Sequence, residues 1–249
     1  MRELVTFGLG FLIIFLFFPV KLTGFKMFKS YVCINCLHPT DSLYKQYSTE
    51  VIRLTECKKC NGIVDKYVEY DVTLTVVDLI MHYSHAYRHI VYNMPGKNFV
   101  RLLVLFVFCD AYDKWITERA QSTEANRIYD LELIFYKSLA QSAAEFVAYL
   151  AVILFFETAL HRSTERARFT IESSILGYYG NVAVVLSIIF KLSAEPFYQV
   201  ATTLFLWTSH VQIQRALFPG ISLVTNIAVV CAATAASITA GHLAHDLLV

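Results

Sequence analysis

Apolar residues in this 249-residue chain come in long blocks separated by short polar stretches. A helix needs about 20 mostly apolar residues to cross the hydrocarbon core of a bilayer. The blocks that approach this length or fall somewhat short of it lie at 99–112, 139–160, 175–192, 197–211 and 221–243. The first and fourth are short or polar, whereas the second and fifth are the strongest candidates. The pattern predicts a helical transmembrane domain over residues 98–249 with about four to five spans.

An additional apolar run occupies residues 4–20, within an N-terminal hydrophobic segment at 1–26. It has the character of a signal peptide or a signal anchor, and Met27 offers an alternative start after it. The bases that follow the run, Lys21, Lys26 and Lys29, favour a cytosolic location for that flank. The sequence leaves the role of this segment open.

Polar residues dominate the next stretch, which we assign to a small β-rich domain at 27–71. Strand-forming residues are concentrated at 50–55 and 62–70. A domain of roughly 40 residues cannot bury enough apolar surface to be stable alone, so a bound metal is expected.

Residues 72–97 have helical periodicity with two different faces. The apolar face carries Val72, Val76, Leu79, Ile80 and Tyr83. The polar face carries Asp78, His82, His85, Arg88 and His89. This pattern predicts an amphipathic helix lying in the headgroup region of a membrane, ended by Pro95 and Gly96. The histidines could bind a second metal, although a polar face turned toward water is the simpler interpretation.

Composition supports a membrane protein, because 56% of residues are hydrophobic and only 16% are charged, against about a quarter charged in soluble domains. The net charge of +1 gives no reason to expect a nucleic-acid partner. Arg162, Arg166 and Arg168 crowd a short loop between two blocks, which places that loop and the 27–71 domain in the cytosol. The expected fold is an all-α polytopic membrane protein with a small N-terminal β-rich domain.

Four of the six cysteines form two CxxC pairs, Cys33–Cys36 and Cys57–Cys60. Each pair can form a turn that directs two thiolates at one point, and two such turns complete a tetrahedral shell for zinc. Asn61 and Gly62 supply residues that tolerate the positive φ of such a turn. Because four thiolates leave no open position, the sequence predicts one structural Zn2+, which makes the N-terminal β-rich domain a zinc ribbon.

Three segments together resemble the Arv family of endoplasmic-reticulum membrane proteins. They are Tyr-Val-Cys-Ile-Asn-Cys at 31–36, Val-Asp-Lys-Tyr-Val-Glu-Tyr-Asp at 64–71 and Ala-Tyr-Arg-His-Ile-Val-Tyr-Asn at 86–93. The resemblance extends over Cys109-Asp-Ala-Tyr112 and Trp115. It implies a role in endoplasmic-reticulum lipid homeostasis: sterol distribution, sphingolipid balance and an early step of glycosylphosphatidylinositol anchor synthesis. It also implies that Tyr87, Arg88, His89 and Asn93 form a signature strip, which we expect to contact a partner or a lipid headgroup.

Ionisable residues inside apolar blocks are costly and usually face a bundle interior. Glu145 and His210 lie most centrally, where they either line a polar cavity or pair between helices. The sequence contains no P-loop, dinucleotide fingerprint or HExxH motif. We therefore expect a non-catalytic accessory factor that binds membrane lipids (a sterol, phosphoinositide or glycolipid) and a membrane enzyme. The alternatives are a sterol or glycolipid transporter or flippase, and a lipid-modifying membrane enzyme. The sequence does not indicate an oligomeric state.

Overall fold

The computed structural model describes residues 31–48, 51–70, 72–94, 99–121, 128–161, 164–190, 192 and 195–248. The chain divides into two compact units. One comprises Lys21–Asn98 and is called the ribbon unit below; the other contains Phe99–Val249 and is called the helical unit. The hydrophobic segment expected at 1–26 lies outside the described residues.

Two short antiparallel hairpins form the β part of the ribbon unit. Strand β1 (Tyr31–Val32) pairs with β2 (Pro39–Thr40), and β3 (Tyr44–Gln46) pairs with β4 (Ile52–Leu54). The strand-forming stretch expected at 62–70 is different, with only one bridge between Ile63 and Glu56 and a 3-10 turn at Lys66–Val68. The Asp65 side chain accepts a hydrogen bond from the backbone N–H of Tyr67, which favours the turn over an extended strand.

The single helix expected over 72–97 is broken into shorter pieces. Helix α1 (Val72–Ile80) and helix α2 (Ser84–Arg88) are followed by a π-helical turn at His89–Asn93. The break lies at His82, whose φ of 56° is in the left-handed region. There the N–H of His82 bonds the carbonyl of Leu79 and the N–H of Tyr83 bonds that of Asp78, which ends α1.

The helical unit is built from six α-helices and one 3-10 segment within the described residues. They are α3 (Phe99–Gln121), α4 (Ile128–His161), α5 (Thr164–Leu176), the 3-10 segment Gly177–Ala183, α6 (Val184–Phe190), α7 (Pro196–Leu217) and α8 (Leu223–Leu247). An apolar core joins α3, α4 and the α5–α6 region through Leu105, Phe106, Cys109, Phe146, Ile175 and Val184. A second core joins α4 and α8 through Tyr149, Ile153 and Ala233.

Three helical stretches of the described chain are long and apolar enough to cross a membrane: Glu132–Leu160, Arg166–Phe190 and Leu223–Leu247. The blocks that the sequence marks as short or polar, within α3 and α7, do not meet this criterion. The chain is therefore mostly helical, with three candidate spans and a small β region carrying a cysteine cluster. A total of four to five spans stays a prediction.

Candidate metal centre

The two CxxC turns of the ribbon unit have the same backbone geometry. The residue after each pair is left-handed, with φ of 59° at Leu37 and 56° at Asn61. The N–H of Leu37 bonds the Cys33 carbonyl at 2.9 Å, and the N–H of Asn61 bonds the Cys57 carbonyl at 2.9 Å. The positive φ expected after the second pair is confirmed at Asn61. Leu37 was not anticipated, because a branched residue rarely adopts this conformation.

A second pair of matching hydrogen bonds closes each turn. The N–H of Cys33 bonds the carbonyl of His38 at 3.0 Å, and the N–H of Cys57 bonds that of Gly62 at 2.8 Å. The turns are also joined to each other, since the N–H of Ile34 bonds the carbonyl of Val64 at 2.9 Å. These backbone bonds fix the geometry of both turns, from which the four cysteine side chains project.

The four Sγ atoms lie within 4.8 Å of one another. Cys33 Sγ is 3.8 Å from Cys60 Sγ, and Cys36 Sγ is 3.6 Å from Cys57 Sγ. Ligands 2.3 Å from a tetrahedral zinc are about 3.8 Å apart, which is close to both of these distances, so the donor set is compatible with zinc. All four cysteines are free of disulfides. Such a shell is filled by protein ligands alone.

The local environment shifts the pKa values of the Cys57 and Cys33 thiols in opposite directions. The backbone N–H groups of Cys60 and Lys59 lower the pKa of the Cys57 thiol to about 6. Burial raises the pKa of the Cys33 thiol to about 12. A cation that binds the thiolate form would offset the second effect, since zinc ligands must be deprotonated.

Arg88 of the signature strip binds the backbone of the first CxxC turn. Its Nη1 donates hydrogen bonds to the carbonyl oxygens of Ile34 and Asn35, each at 2.8 Å. These are the two residues between Cys33 and Cys36. The guanidinium therefore fixes the carbonyls of the turn whose side chains form half of the metal site.

Asn93 binds the residue that precedes this turn. Its Nδ2 donates to the carbonyl of Val32 at 2.8 Å, and its Oδ1 accepts from the N–H of Val32 at 2.9 Å. The side chain thus makes the pair of bonds that a neighbouring strand would make. Strand β1 is held in this way on the side away from β2.

Asp65 is the centre of the polar contacts in the ribbon unit. It is fully buried. Its carboxylate accepts hydrogen bonds from His89 Nδ1 at 2.7 Å, from Asn93 Nδ2 at 2.6 Å and from the N–H of Tyr67 at 3.0 Å. We did not single out Asp65 from the sequence. The available signal was its place within the segment 64–71, which carries part of the family resemblance.

Two of the strip residues lie inside the ribbon unit. Tyr87 and Asn93 are buried there, and Tyr87 Oη lies 2.7 Å from His82 Nδ1. Arg88 and His89 are only partly buried. For all four strip residues, contact with a partner or a headgroup stays a prediction. The described residues contain one metal-type cluster, the four cysteines, so the histidine face forms no second one.

Glu145, expected to line or pair across the bundle, does pair with a neighbouring helix. Lys114 Nζ on α3 donates to Glu145 Oε2 at 2.7 Å and to Ser142 Oγ at 3.1 Å, and it also binds Asp110. Gln141 Nε2 donates to Glu145 Oε1 at 2.9 Å. The carboxylate is therefore both charge-compensated and hydrogen-bonded.

His210 has a different environment. Its ring lies between those of Tyr149 and Tyr178, each 4.5 Å away between centroids. A Cβ at Gly177 would overlap the imidazole, so glycine allows this approach. His210 Nδ1 is buried without a hydrogen-bond partner. Glu145 and His210 thus belong to separate contacts, and the structure does not unite them in one site.

The family model of the Arv1-like family matches residues 32–232 of this chain. This chain belongs to the Arv1-like family. The Protein ARV1 of Bos taurus is 30% identical over 194 residues, which cover 74% of this chain and 68% of the relative. The Protein arv1 homolog of Dictyostelium discoideum is 29% identical over 180 residues, or 64% of this chain and 73% of the relative.

Another relative matches a shorter part of the chain at higher sequence identity. The Protein ARV1 of Saccharomyces cerevisiae is 50% identical over 62 residues, which cover 25% of this chain and 19% of that relative. No solved structure matches this Arv1-like chain. The family resemblance seen in the sequence is therefore confirmed.

Proposed function

We propose that this chain is a non-catalytic accessory factor of the endoplasmic-reticulum membrane that acts in lipid homeostasis. Its tasks are sterol distribution and support of early glycosylphosphatidylinositol anchor synthesis, with the ribbon unit in the cytosol. The observation that carries the proposal is the set of four cysteine sulfurs within 4.8 Å of one another. Four thiolates around one zinc leave no position for a substrate, in contrast to catalytic zinc sites with three protein ligands.

The surroundings of the metal site support a structural role. Arg88, Asn93 and Asp65 direct their hydrogen bonds at the backbone and side chains of the ribbon unit itself. Zinc would hold the two turns together, and the strip would hold the turns in register with β1. The result is a rigid surface suited to binding a membrane enzyme or a lipid headgroup. Membership of the Arv1-like family supports the link to lipid homeostasis.

The test compares partner binding with lipid conversion. Chain purified from microsomes in mild detergent should carry a membrane enzyme of anchor synthesis in stoichiometric amount. Chain freed of that partner should convert no phosphatidylinositol, sterol or sphingolipid substrate on its own. Conversion of any of these lipids by the isolated chain, abolished by a single substitution in the helical unit, would overturn the accessory role.

A transporter or flippase is the second candidate, and one observation favours it. Among the described residues of the helical unit, the deeply buried polar atoms without a hydrogen-bond partner include His210 Nδ1, Gln214 Nε2 and Asn226 Oδ1. The rings of Phe156 and Phe218 meet at 5.4 Å, which brings the ends of α4 and α7 together near Gln214. A lipid hydroxyl both donates and accepts hydrogen bonds, so it could pair with such groups.

The two candidates can be separated in complementation of cells that lack their Arv-family protein. Variants Arg88→Lys and Gln214→Leu, matched for expression, are compared with the unchanged chain. The accessory role predicts that Arg88→Lys is the more harmful, because the lysine side chain is one bond shorter and its ammonium does not reach the position from which Arg88 Nη1 bonds both carbonyls. The transporter role predicts the reverse order, with loss of co-purified lipid from Gln214→Leu. A lipid-modifying enzyme stays the third prediction, based on intramembrane carboxylates alone.

A further inference from the structure

Helix α1 of the ribbon unit exposes an apolar surface. At about 100° per residue, four aliphatic side chains of α1 and that of Met81, the residue after it, fall on one half of the helix. Their exposed fractions are 67% for Val72, 47% for Val76, 49% for Val77, 54% for Ile80 and 61% for Met81. We call these five residues the outward face. Within α1, the one polar residue on the same arc is Thr73.

The opposite half of α1 is the more polar one. Thr75 and Asp78 are buried there, beside Leu74 and Leu79. The Asp78 carboxylate accepts a hydrogen bond of 2.6 Å from the Tyr67 hydroxyl. It also accepts one of 3.3 Å from Lys66 Nζ, so the polar side of the helix is satisfied inside the ribbon unit.

This arrangement is inverted relative to a helix on the surface of a soluble domain, which buries its apolar stripe and exposes its polar face. The sequence predicts that Asp78 and the nearby histidines face water, whereas Asp78 faces the interior. A contiguous exposed apolar surface usually marks an interaction site. The outward face therefore requires a partner of apolar character.

The chain connectivity indicates which partner is always available. Met94 is five peptide steps from Phe99, where α3 of the helical unit begins. A fully extended chain covers at most about 18 Å in five steps. Phe99 packs against the core that contains Phe146 and Ile175, which lie in two of the candidate spans, so a bilayer surface stays within reach of the ribbon unit. Tyr83, 53% exposed just after α1, adds an aromatic residue of the kind enriched at the membrane–water interface.

We propose that the outward face of α1 docks on the phospholipid leaflet, with its aliphatic side chains at the boundary between headgroups and acyl chains. The helix lies parallel to the membrane plane, as interfacial amphipathic helices do. The outward face carries no basic residue, so apolar burial dominates and a zwitterionic leaflet suffices. This inference does not depend on the proposed accessory role.

The test measures immersion of the outward face in the full chain. Zinc-loaded protein with Cys109→Ser and Cys231→Ser carries a nitroxide at Ile80→Cys, in nanodiscs of palmitoyl-oleoyl phosphatidylcholine. A matched label at Lys45→Cys lies on the exposed β3 strand. Power-saturation spectroscopy compares collisions with oxygen, which concentrates in lipid, and with a water-soluble nickel chelate. We expect the oxygen-to-nickel ratio to be at least fivefold higher at Ile80 than at Lys45.

Two results would overturn the proposal. Equal nickel accessibility at both positions means that the outward face is in water. Protection of the Ile80 label from both reagents means that protein covers it, either the helical unit or a second copy of this chain. If labelling at Ile80 releases zinc, Met81→Cys gives the same comparison, because Met81 lies on the same face and is 61% exposed.

Discussion

A buried aspartate in the ribbon unit and a buried histidine in the helical unit illustrate two ways of stabilising a fold. The Asp65 carboxylate receives hydrogen bonds from His89, Asn93 and the Tyr67 backbone. His210 Nδ1 receives none, and its ring is held by Tyr149 and Tyr178. The ribbon unit thus depends on directional bonds between particular groups. Around His210 the helical unit depends on shape and close approach, although the Lys114–Glu145 pair shows that it also contains directional bonds.

The difference follows from the size of the two units. A small domain buries too little apolar surface to be stable by packing, so hydrogen bonds and the proposed zinc would supply what its core cannot. Long helices bury enough surface to keep a histidine nitrogen unpaired. Substitutions should therefore affect the ribbon unit through lost bonds and the helical unit through lost space.

The largest effect is expected from removing a metal ligand. Cys57→Ser should abolish zinc binding and unfold the ribbon unit, because structural zinc supplies on the order of 10 kcal/mol of folding free energy. Elemental analysis and limited proteolysis of the purified chain measure the two effects. Cys231→Ser, at an exposed position in α8, is the control and should keep one zinc per chain. Normal zinc content in Cys57→Ser would show that the four-cysteine site is wrong.

A smaller loss is expected at the centre of the hydrogen-bond network. Asp65→Asn keeps the shape of the side chain but removes its charge, so His89 and Asn93 lose a charged acceptor. We expect the free energy of unfolding of the ribbon unit to fall by about 3 kcal/mol. Hydrogen exchange of the ribbon amides measures it, with Asp41→Asn as the exposed control. Equal protection in both variants would remove the contrast between the two units.

In the helical unit, the prediction concerns the addition of one methyl group at a glycine. A Cβ at Gly241 of α8 would overlap the Glu145 side chain on α4, whereas one at Gly220 would meet nothing. Gly241→Ala should destabilise the helical unit by about 2 kcal/mol, as overpacking of a tight contact does. Thermal unfolding in detergent measures this, and Gly220→Ala should leave the midpoint unchanged. Identical midpoints for the two variants would indicate that α4 and α8 are not so closely packed.

The smallest effect concerns pH. Burial lowers the pKa of His82 below its ordinary value. The unfolded chain then takes up a proton below about pH 6.5 that the folded chain does not, so stability is present above that pH and falls as pH decreases. His82→Asn removes the titrating group and keeps a residue that tolerates the left-handed φ at this position. Its unfolding free energy should change less between pH 7.5 and 5.5 than that of the unchanged chain. An unaltered pH dependence would assign the effect to other groups.

The sequence predicted features that depend on neighbouring residues. The CxxC spacing identified the four sulfur ligands as one cluster. Hydropathy placed the blocks that become long apolar helices, and Asn61 was expected in the left-handed region. Each of these follows from residue type at fixed local spacing.

Contacts between distant residues could not be obtained in this way. Asp65 meets Asn93 across 28 positions, and Lys114 meets Glu145 across 31. Periodicity grouped Val72, Val76 and Ile80 on one face of α1, but it placed Leu79 with them, whereas Leu79 packs inward. It also could not show which face turns inward. The Tyr67 hydroxyl donates a hydrogen bond to Asp78, which turns the side of α1 that carries Asp78 inward and leaves the aliphatic side exposed.

The 3-10 segment Gly177–Ala183 determines how α6, the helix that follows it, is rotated about its axis relative to α5. Ile175 and Val184 are nine positions apart, which in a continuous α-helix puts them about 180° apart around the axis. Seven residues at about 120° each, instead of 100°, bring them within about 40° of each other. Both side chains consequently enter one core, with Phe106 and Phe146. If this segment were α-helical, the buried side of α6 would face outward. The seven 3-10 residues therefore determine which surface of α6 faces the neighbouring helices.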